Sequence, residues 1–235
     1  MLEARYSLAA RHAAGKEVLE VACGAGIGLG RLVDTARRVV GGDYTRGLLR
    51  RARLHYGDRV SLVQLDGEML PFAASTFDVV VLYEALYYLR SAERFVDEAR
   101  RVLRERGQVL LCAVNPEWRD FNPSPFSTRY YRAPELRGLL EAAGFRVELW
   151  AGFPAGGDTP RQALVSVIKR TAVWAHLIPH TMKGKQLLKR VFLGRLTPLP
   201  AELGVGNGAY EALQPLSADA AASGFKVLYA VATRA

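Results

Sequence analysis

Apolar, β-branched runs alternate with helical patterns over the first 150 residues. The first run, 17–21 (Glu-Val-Leu-Glu-Val), leads into a glycine-rich turn and a helical pattern to about Ala36. The second, 38–42, ends at Asp43 and precedes a helix through Leu48, Leu49 and Leu54. Further strands are predicted at 60–64, 77–82 and 108–114, the last after a helix carrying Phe95, Ala99, Val102 and Leu103. A helix over 133–143 stops at Gly144, which suits the left-handed turn beyond a helix end. A sixth strand follows at 145–150 and another at 225–232. Strands that are apolar at every position are buried on both faces. The pattern therefore predicts an α/β fold with a mostly parallel sheet covered by helices on both sides.

The last two strands are separated by 151–224, far longer than an ordinary connection. The expected organisation is a single domain, 1–235, with a helical insertion or lid at 151–224. Half of the 235 residues are apolar and 23% are charged, which excludes a disordered chain. No apolar run approaches the ~20 residues of a membrane-spanning helix. The early Glu3 and the broken apolar pattern of 1–14 argue against a secretory signal. Two cysteines, Cys23 and Cys112, cannot build a disulfide framework, so a cytoplasmic protein is expected.

The formal charge is +9, and it is local. Eight basic residues and no acid fall within 161–195, so the rest of the chain is close to neutral. Helical stripes are predicted there, Leu164, Ile168, Ala172 and Ala175 in one helix and Leu187, Leu188, Val191 and Phe192 in a second. The plain interpretation is a solvated face on a structural lid. Two sharper ones are an acidic acceptor, such as a nucleotide-sugar or phosphorylated glycan, and contact with an anionic membrane. Nucleic acid ranks last, because no recognisable binding module accompanies the charge. His176 and His180 are separated by Pro179 and lack a nearby acid or thiol, so no metal is expected.

The chemistry-bearing signal is the turn after the first strand, Ala22-Cys23-Gly24-Ala25-Gly26-Ile27-Gly28. Glycines there let the backbone turn tightly and approach a ligand closely. Asp43, at the end of the next strand, is placed to accept hydrogen bonds from both hydroxyls of a ribose. No register of these glycines satisfies G-x-G-x-x-G/A, which counts against a dinucleotide, and there is no P-loop.

Residues 18–26 resemble the first motif of class I S-adenosylmethionine-dependent methyltransferases. Gly42-Asp43-Tyr44 is similar to their second motif, and 65–72 with 75–80 to the third and fourth of the small-molecule branch. The turn at 102–107 is a degenerate copy of the approach to the fifth strand. The resemblance covers 16–150 and resumes at the last strand. It implies a Rossmann-like seven-stranded sheet with the last strand antiparallel, S-adenosylmethionine as cofactor and S-adenosylhomocysteine as product. By the same resemblance, Gly24, Gly26, Ala22 and Cys23 would wall the methionine and ribose. Glu20 would support the methionine ammonium and Asp43 the ribose. Tyr44 would lie beside the adenine, and Asp66 would accept from its amino group with Gly67 and Glu68 alongside. Tyr83 would lie near the methionine end.

The acceptor side would form beyond the fourth and fifth strands, where Tyr87, Tyr88, Asn115, Trp118 and Phe121 are candidate contacts. In many relatives histidines stand where this chain has Tyr87 and Tyr88. Glu84 is the candidate general base, its alternative being an acid that favours a helix N-terminus. The expected activity is methyl transfer to a small or glycan-like, possibly acidic acceptor. The rivals are a cofactor-binding module without turnover and an NAD-dependent oxidoreductase or epimerase on a similar sheet.

Overall fold

A computed structural model describes residues 1–155, 200–203, 213–217 and 222–235. The basic stretch 161–195, with its predicted helices, His176 and His180, lies outside the described residues. The described elements run α1 (Leu2–Ala13), β1 (Glu17–Val21), α2 (Leu29–Val33), β2 (Arg38–Asp43), α3 (Arg46–Tyr56), β3 (Ser61–Gln64) and β4 (Phe77–Tyr83). A 3-10 turn at Leu86–Tyr88 leads to α4 (Ala92–Val102) and β5 (Leu103–Val114). They close with α5 (Ala133–Ala142), β6 (Phe145–Pro154), β7 (Gln214–Leu216) and β8 (Phe225–Arg234). All eight strands form one sheet in the order β3-β2-β1-β4-β5-β8-β6-β7.

Strands β3, β2, β1, β4 and β5 pair in parallel. β8 enters between β5 and β6 and runs antiparallel to both. The last strand is antiparallel, as expected. An eighth strand, β7, is the addition: it pairs with β6 at the sheet edge, within the stretch expected to be helical. Pro215 there has no N–H to donate, which an edge strand tolerates.

Alternation along the central strands divides two apolar cores. Leu19, Val80, Leu82 and Leu111 face one side, packed with Phe95, Val102, Leu136 and Leu140. Val18, Val79, Val81 and Leu110 face the other, with Leu29, Leu32, Leu49 and Ala52. Successive side chains on a strand point to opposite faces, so one apolar run supplies both cores. Helix α4 shows why the helices cover them. Ala92, Phe95, Val96, Ala99 and Val102 are buried at helical spacing, and the Ser91 side chain caps the first turn by accepting from the Arg94 N–H.

The N-terminal helix α1 has no counterpart in the sequence expectations. Much of its buried side is alanine, Ala4, Ala9, Ala10 and Ala13, with Tyr6 and Leu8. Alanine favours helix strongly but leaves a faint hydrophobic stripe. The helix is seated on the glycine-rich turn: a Cβ at Gly28 would fall 1.8 Å from the Tyr6 ring. Gly28→Ala should therefore lift α1 and cost about 1–3 kcal/mol in urea unfolding, with faster amide exchange in 2–13. An unchanged midpoint and unchanged exchange in α1 would contradict this seating.

Candidate active site

The parallel strands end on one edge, and the order reverses between β1 and β4, where open α/β sheets form their crevice. A cavity of about 710 Å³ opens there. Its walls include Ala22 and Gly24 after β1, Asp43 and Tyr44 at and just beyond the end of β2, Asp66, Gly67 and Glu68 after β3, and Tyr83, Glu84 and Tyr88 at and beyond the end of β4. Four separate strand ends thus converge on one space. Thr45, Leu48, Leu65, Leu89 and Arg90 complete much of the lining, and none of these was anticipated.

The Asp43 carboxylate organises the near wall. Its Oδ2 accepts from the Gly24 N–H at 2.8 Å, and its Oδ1 accepts from the Thr45 N–H at 2.7 Å. Each oxygen keeps a lone pair for another donor. Gly24 has φ +61°, a conformation side chains resist, and no heavy atom lies within 4 Å of where its Cβ would stand. Ala22 and Glu84 adopt φ +59° and +55° without being glycine. Such backbone costs about 1–3 kcal/mol per residue and persists where surrounding structure enforces it. Here the two residues follow β1 and β4 on either side of the reversal.

On the far wall Asp66 Oδ1 accepts from the Glu68 N–H at 2.9 Å, and Glu68 Oε1 accepts from the Arg90 N–H at 2.7 Å. Arg90 also approaches Asp66, but its side chain is 82% exposed, so solvent screens that charge. Among the described residues four carboxylates line the cavity, which suits a cationic ligand.

Behind the cleft, Glu20 is buried near the end of β1. The Tyr6 hydroxyl donates to its Oε1, while Oε2 is buried without a partner. Burial raises its pKa, the Tyr6 hydrogen bond opposes this, and the Asp43 charge adds to it, giving about 7. Cys23 belongs to the apolar core behind the loop, and burial pushes its thiol well up, as it does that of Cys112, to about 12. Neither thiol is suited to nucleophilic attack. Gly26 is not in the described lining: its carbonyl accepts from the Tyr56 hydroxyl at 2.7 Å, and the same hydroxyl accepts from the Gly30 N–H at 3.0 Å. A further strap comes from 200–203, where the Leu203 N–H donates to the Ile27 carbonyl at 2.8 Å and Glu202 pairs with His55 and Arg59.

The acceptor-side candidates divide. Tyr88 lines the cavity. Tyr87 packs against Tyr88, stacks on Tyr130 with centroids 4.8 Å apart, and Phe121 meets Tyr130 edge-on at 4.7 Å. Asn115 is fully buried and not among the described lining. Its amide donates to the carbonyls of Ala222 and Phe225 and its oxygen accepts from the Glu117 N–H, so it ties the loop after β5 to the start of β8. Trp118 is likewise not in the lining, and its indole N–H is buried without a partner. Glu84 is already engaged: Arg5 pairs with Oε1 and the Tyr87 hydroxyl donates to Oε2 at 2.7 Å. Burial works against the Arg5 charge, but its polar neighbours more than offset it, Glu84 among them as the paired carboxylate, so the Arg5 pKa is raised. No group of acids, histidines and cysteines able to hold a metal occurs among the described residues.

Residues 19–111 match the methyltransferase domain family. Over that stretch the chain is similar to S-adenosylmethionine-dependent methyltransferases. A probable S-adenosylmethionine-dependent methyltransferase of Mycolicibacterium smegmatis is 39% identical over 150 residues, 62% of this chain and 58% of that protein. A demethylmenaquinone methyltransferase of Clavibacter sepedonicus is 34% identical over 101 residues, 42% of this chain and 41% of that one. The chain thus spans less than two thirds of these relatives. Among solved structures, the YcgJ protein of Bacillus subtilis aligns over 99% of this chain and 98% of its own, with TM-score 0.63 and 16% identity, a likeness of fold.

The family's cofactor is S-adenosylmethionine, and the donor set fits it. Asp43 has spare acceptor capacity on both oxygens, and the buried Glu20 Oε2 is an acceptor lacking a donor. The unmet acceptor carries a stability consequence. Between about 4.5 and about 7 the folded chain keeps a proton on Glu20 that the unfolded chain has released, so stability falls as pH rises through that window. Glu20→Gln removes this loss and keeps an oxygen for Tyr6. Its stability relative to the parent should rise by on the order of 3 kcal/mol between about pH 4 and pH 8. Urea unfolding at both pH values measures this; a pH-independent difference would refute it.

Proposed function

We propose that the chain transfers a methyl group from S-adenosylmethionine to a small-molecule acceptor. The observation that carries this reading is the convergence of Gly24, Asp43, Asp66 and Tyr83, from four different strand ends, on one cavity. When bound, the cofactor supplies a methyl group already activated on a sulfonium, so the protein's contribution is alignment and exclusion of water. Asp43 is assigned to the ribose hydroxyls through the lone pairs that Gly24 and Thr45 leave open. Glu20 is assigned to the methionine ammonium, with Tyr6 steering its other oxygen. Asp66, held by the Glu68 N–H, is assigned to the adenine amino group, with Gly67 and Glu68 beside it and Tyr44 at the rim. Ala22, Cys23, Gly24 and Gly26 shape the turn, and Tyr83 stands at the methionine end.

Tyr88 and the row of Tyr87, Tyr130 and Phe121 favour an acceptor with a ring or sugar face. The basic stretch 161–195 supports an acidic group on that acceptor, or a meeting with it at an anionic membrane surface. A proton on the acceptor could reach Glu84 only in competition with Arg5 and Tyr87, which favours an electrostatic role for Glu84 over proton abstraction.

Calorimetry with S-adenosylmethionine and S-adenosylhomocysteine tests the reading. Both should bind the parent chain, and Asp43→Ala should weaken both by roughly tenfold to a hundredfold, the value of a hydrogen bond to a charged group. A well-folded parent that binds neither ligand would overturn the assignment.

A further inference from the structure

The four carboxylates of the cleft are not balanced alike. Asp43 is held by backbone N–H groups. Asp66 and Glu68 face Arg90, whose charge is out in solvent. Glu84, among the described residues, is the lining carboxylate paired with a largely buried cation, Arg5. Screening by water is weak for such a pair, so its charges act on a neighbouring ligand over several ångströms.

Arg5 reaches this position on α1, and the next residue of the same helix, Tyr6, donates to Glu20. One helix turn therefore touches two carboxylates, at the ends of β1 and β4, on both sides of the reversal. The surroundings are not those of a packing element. The Arg5 Nε and the hydroxyl of Tyr83 are buried without partners. A buried ion pair with unfilled donors beside it stabilises a fold poorly against an apolar replacement. The Glu84 backbone is held in the left-handed region as well.

We propose that Arg5 is a positioning residue that sets how strongly the cleft prefers the sulfonium of the donor over the uncharged thioether of the product. The inference rests on the cofactor reading above. The donor and its product differ by one methyl group and one positive charge. Their affinity ratio therefore reports the electrostatic field at the transfer end, while a loss of packing weakens both ligands together. With Arg5 present, Glu84 is neutralised and the product is not displaced too readily or held too long relative to the donor. Without it, an uncompensated carboxylate remains and favours the sulfonium.

Calorimetric titration of the full chain with S-adenosylmethionine and with S-adenosylhomocysteine tests this. Arg5→Met should shift the affinity ratio toward the donor by roughly fivefold or more. Glu84→Gln, which keeps its shape and leaves Arg5 unpaired, should shift it toward the product. The double variant should return to within about twofold of the parent ratio, and Arg5→Lys should remain there. Equal weakening of both ligands in Arg5→Met, or a Glu84→Gln ratio equal to that of the parent, would overturn the proposal while leaving the cofactor reading intact. A parent chain that binds neither ligand would overturn both. Should Arg5→Met fail to fold, Glu84→Gln and Arg5→Lys still decide, since an uncompensated cation and a balanced pair must give different ratios.

Discussion

The site depends on one carboxylate. Asp43, at the end of β2, accepts from the N–H groups of Gly24 and Thr45 and so ties the turn after β1 to the turn after β2. Parallel pairing sets the two strands side by side with Val21 opposite Gly42, which brings the acid level with the glycine. A hydrogen bond from a neutral amide to a buried carboxylate is among the stronger ones in a fold. The left-handed glycine is then held where it leaves space at the wall. Loss of this link would free the turn even with every apolar contact of the sheet intact.

From that link outward the turn is held by residues distant in sequence. Tyr56 spans Gly26 and Gly30 from α3, Tyr6 covers Gly28 from α1, and Leu203 grips Ile27 from the far side of the chain. Their partners are backbone atoms, so any residue with a hydroxyl or a flat ring at the right height could serve. That is why the supports left no trace in local pattern. The glycines and Asp43 were legible because turn geometry and ribose chemistry demand particular residue types at strand ends, whereas Asp66 and Tyr83 were implied only by the resemblance to the methyltransferase motifs. Strand positions were legible because double-sided burial demands continuous apolar runs, as in Val79, Val80, Val81 and Leu82.

The less legible parts have physical causes as well. α1 buries mostly alanine, so composition rather than pattern carries it. β7 is three residues long and contains Pro215, a poor strand former that an edge accepts. Asn115 looked like a contact for an acceptor because it follows β5 at the crevice. A polar side chain in that position is equally suited to closing a loop, and here its donors are spent on Ala222 and Phe225. Glu84 was readable as an acid at the crevice, but its pairing was not, since Arg5 lies 79 residues away in sequence.

The charged groups under the cleft are expensive to bury. Glu20 is held in surroundings that favour its neutral form, and its second oxygen lacks a donor. Arg5 is drawn inward beside Glu84 while its own Nε goes unmet. Apolar residues of similar size would spare the fold these costs. Glu20 and Glu84 sit at the strand ends on either side of the sheet reversal, and both are reached by the same turn of α1, through Tyr6 and Arg5. Buried polar groups that weaken a fold and cluster at a crevice motivate a hypothesis of ligand binding. Under the proposed reading α1 works with the cofactor site, bringing Arg5 and Tyr6 to the two carboxylates that flank the sheet reversal.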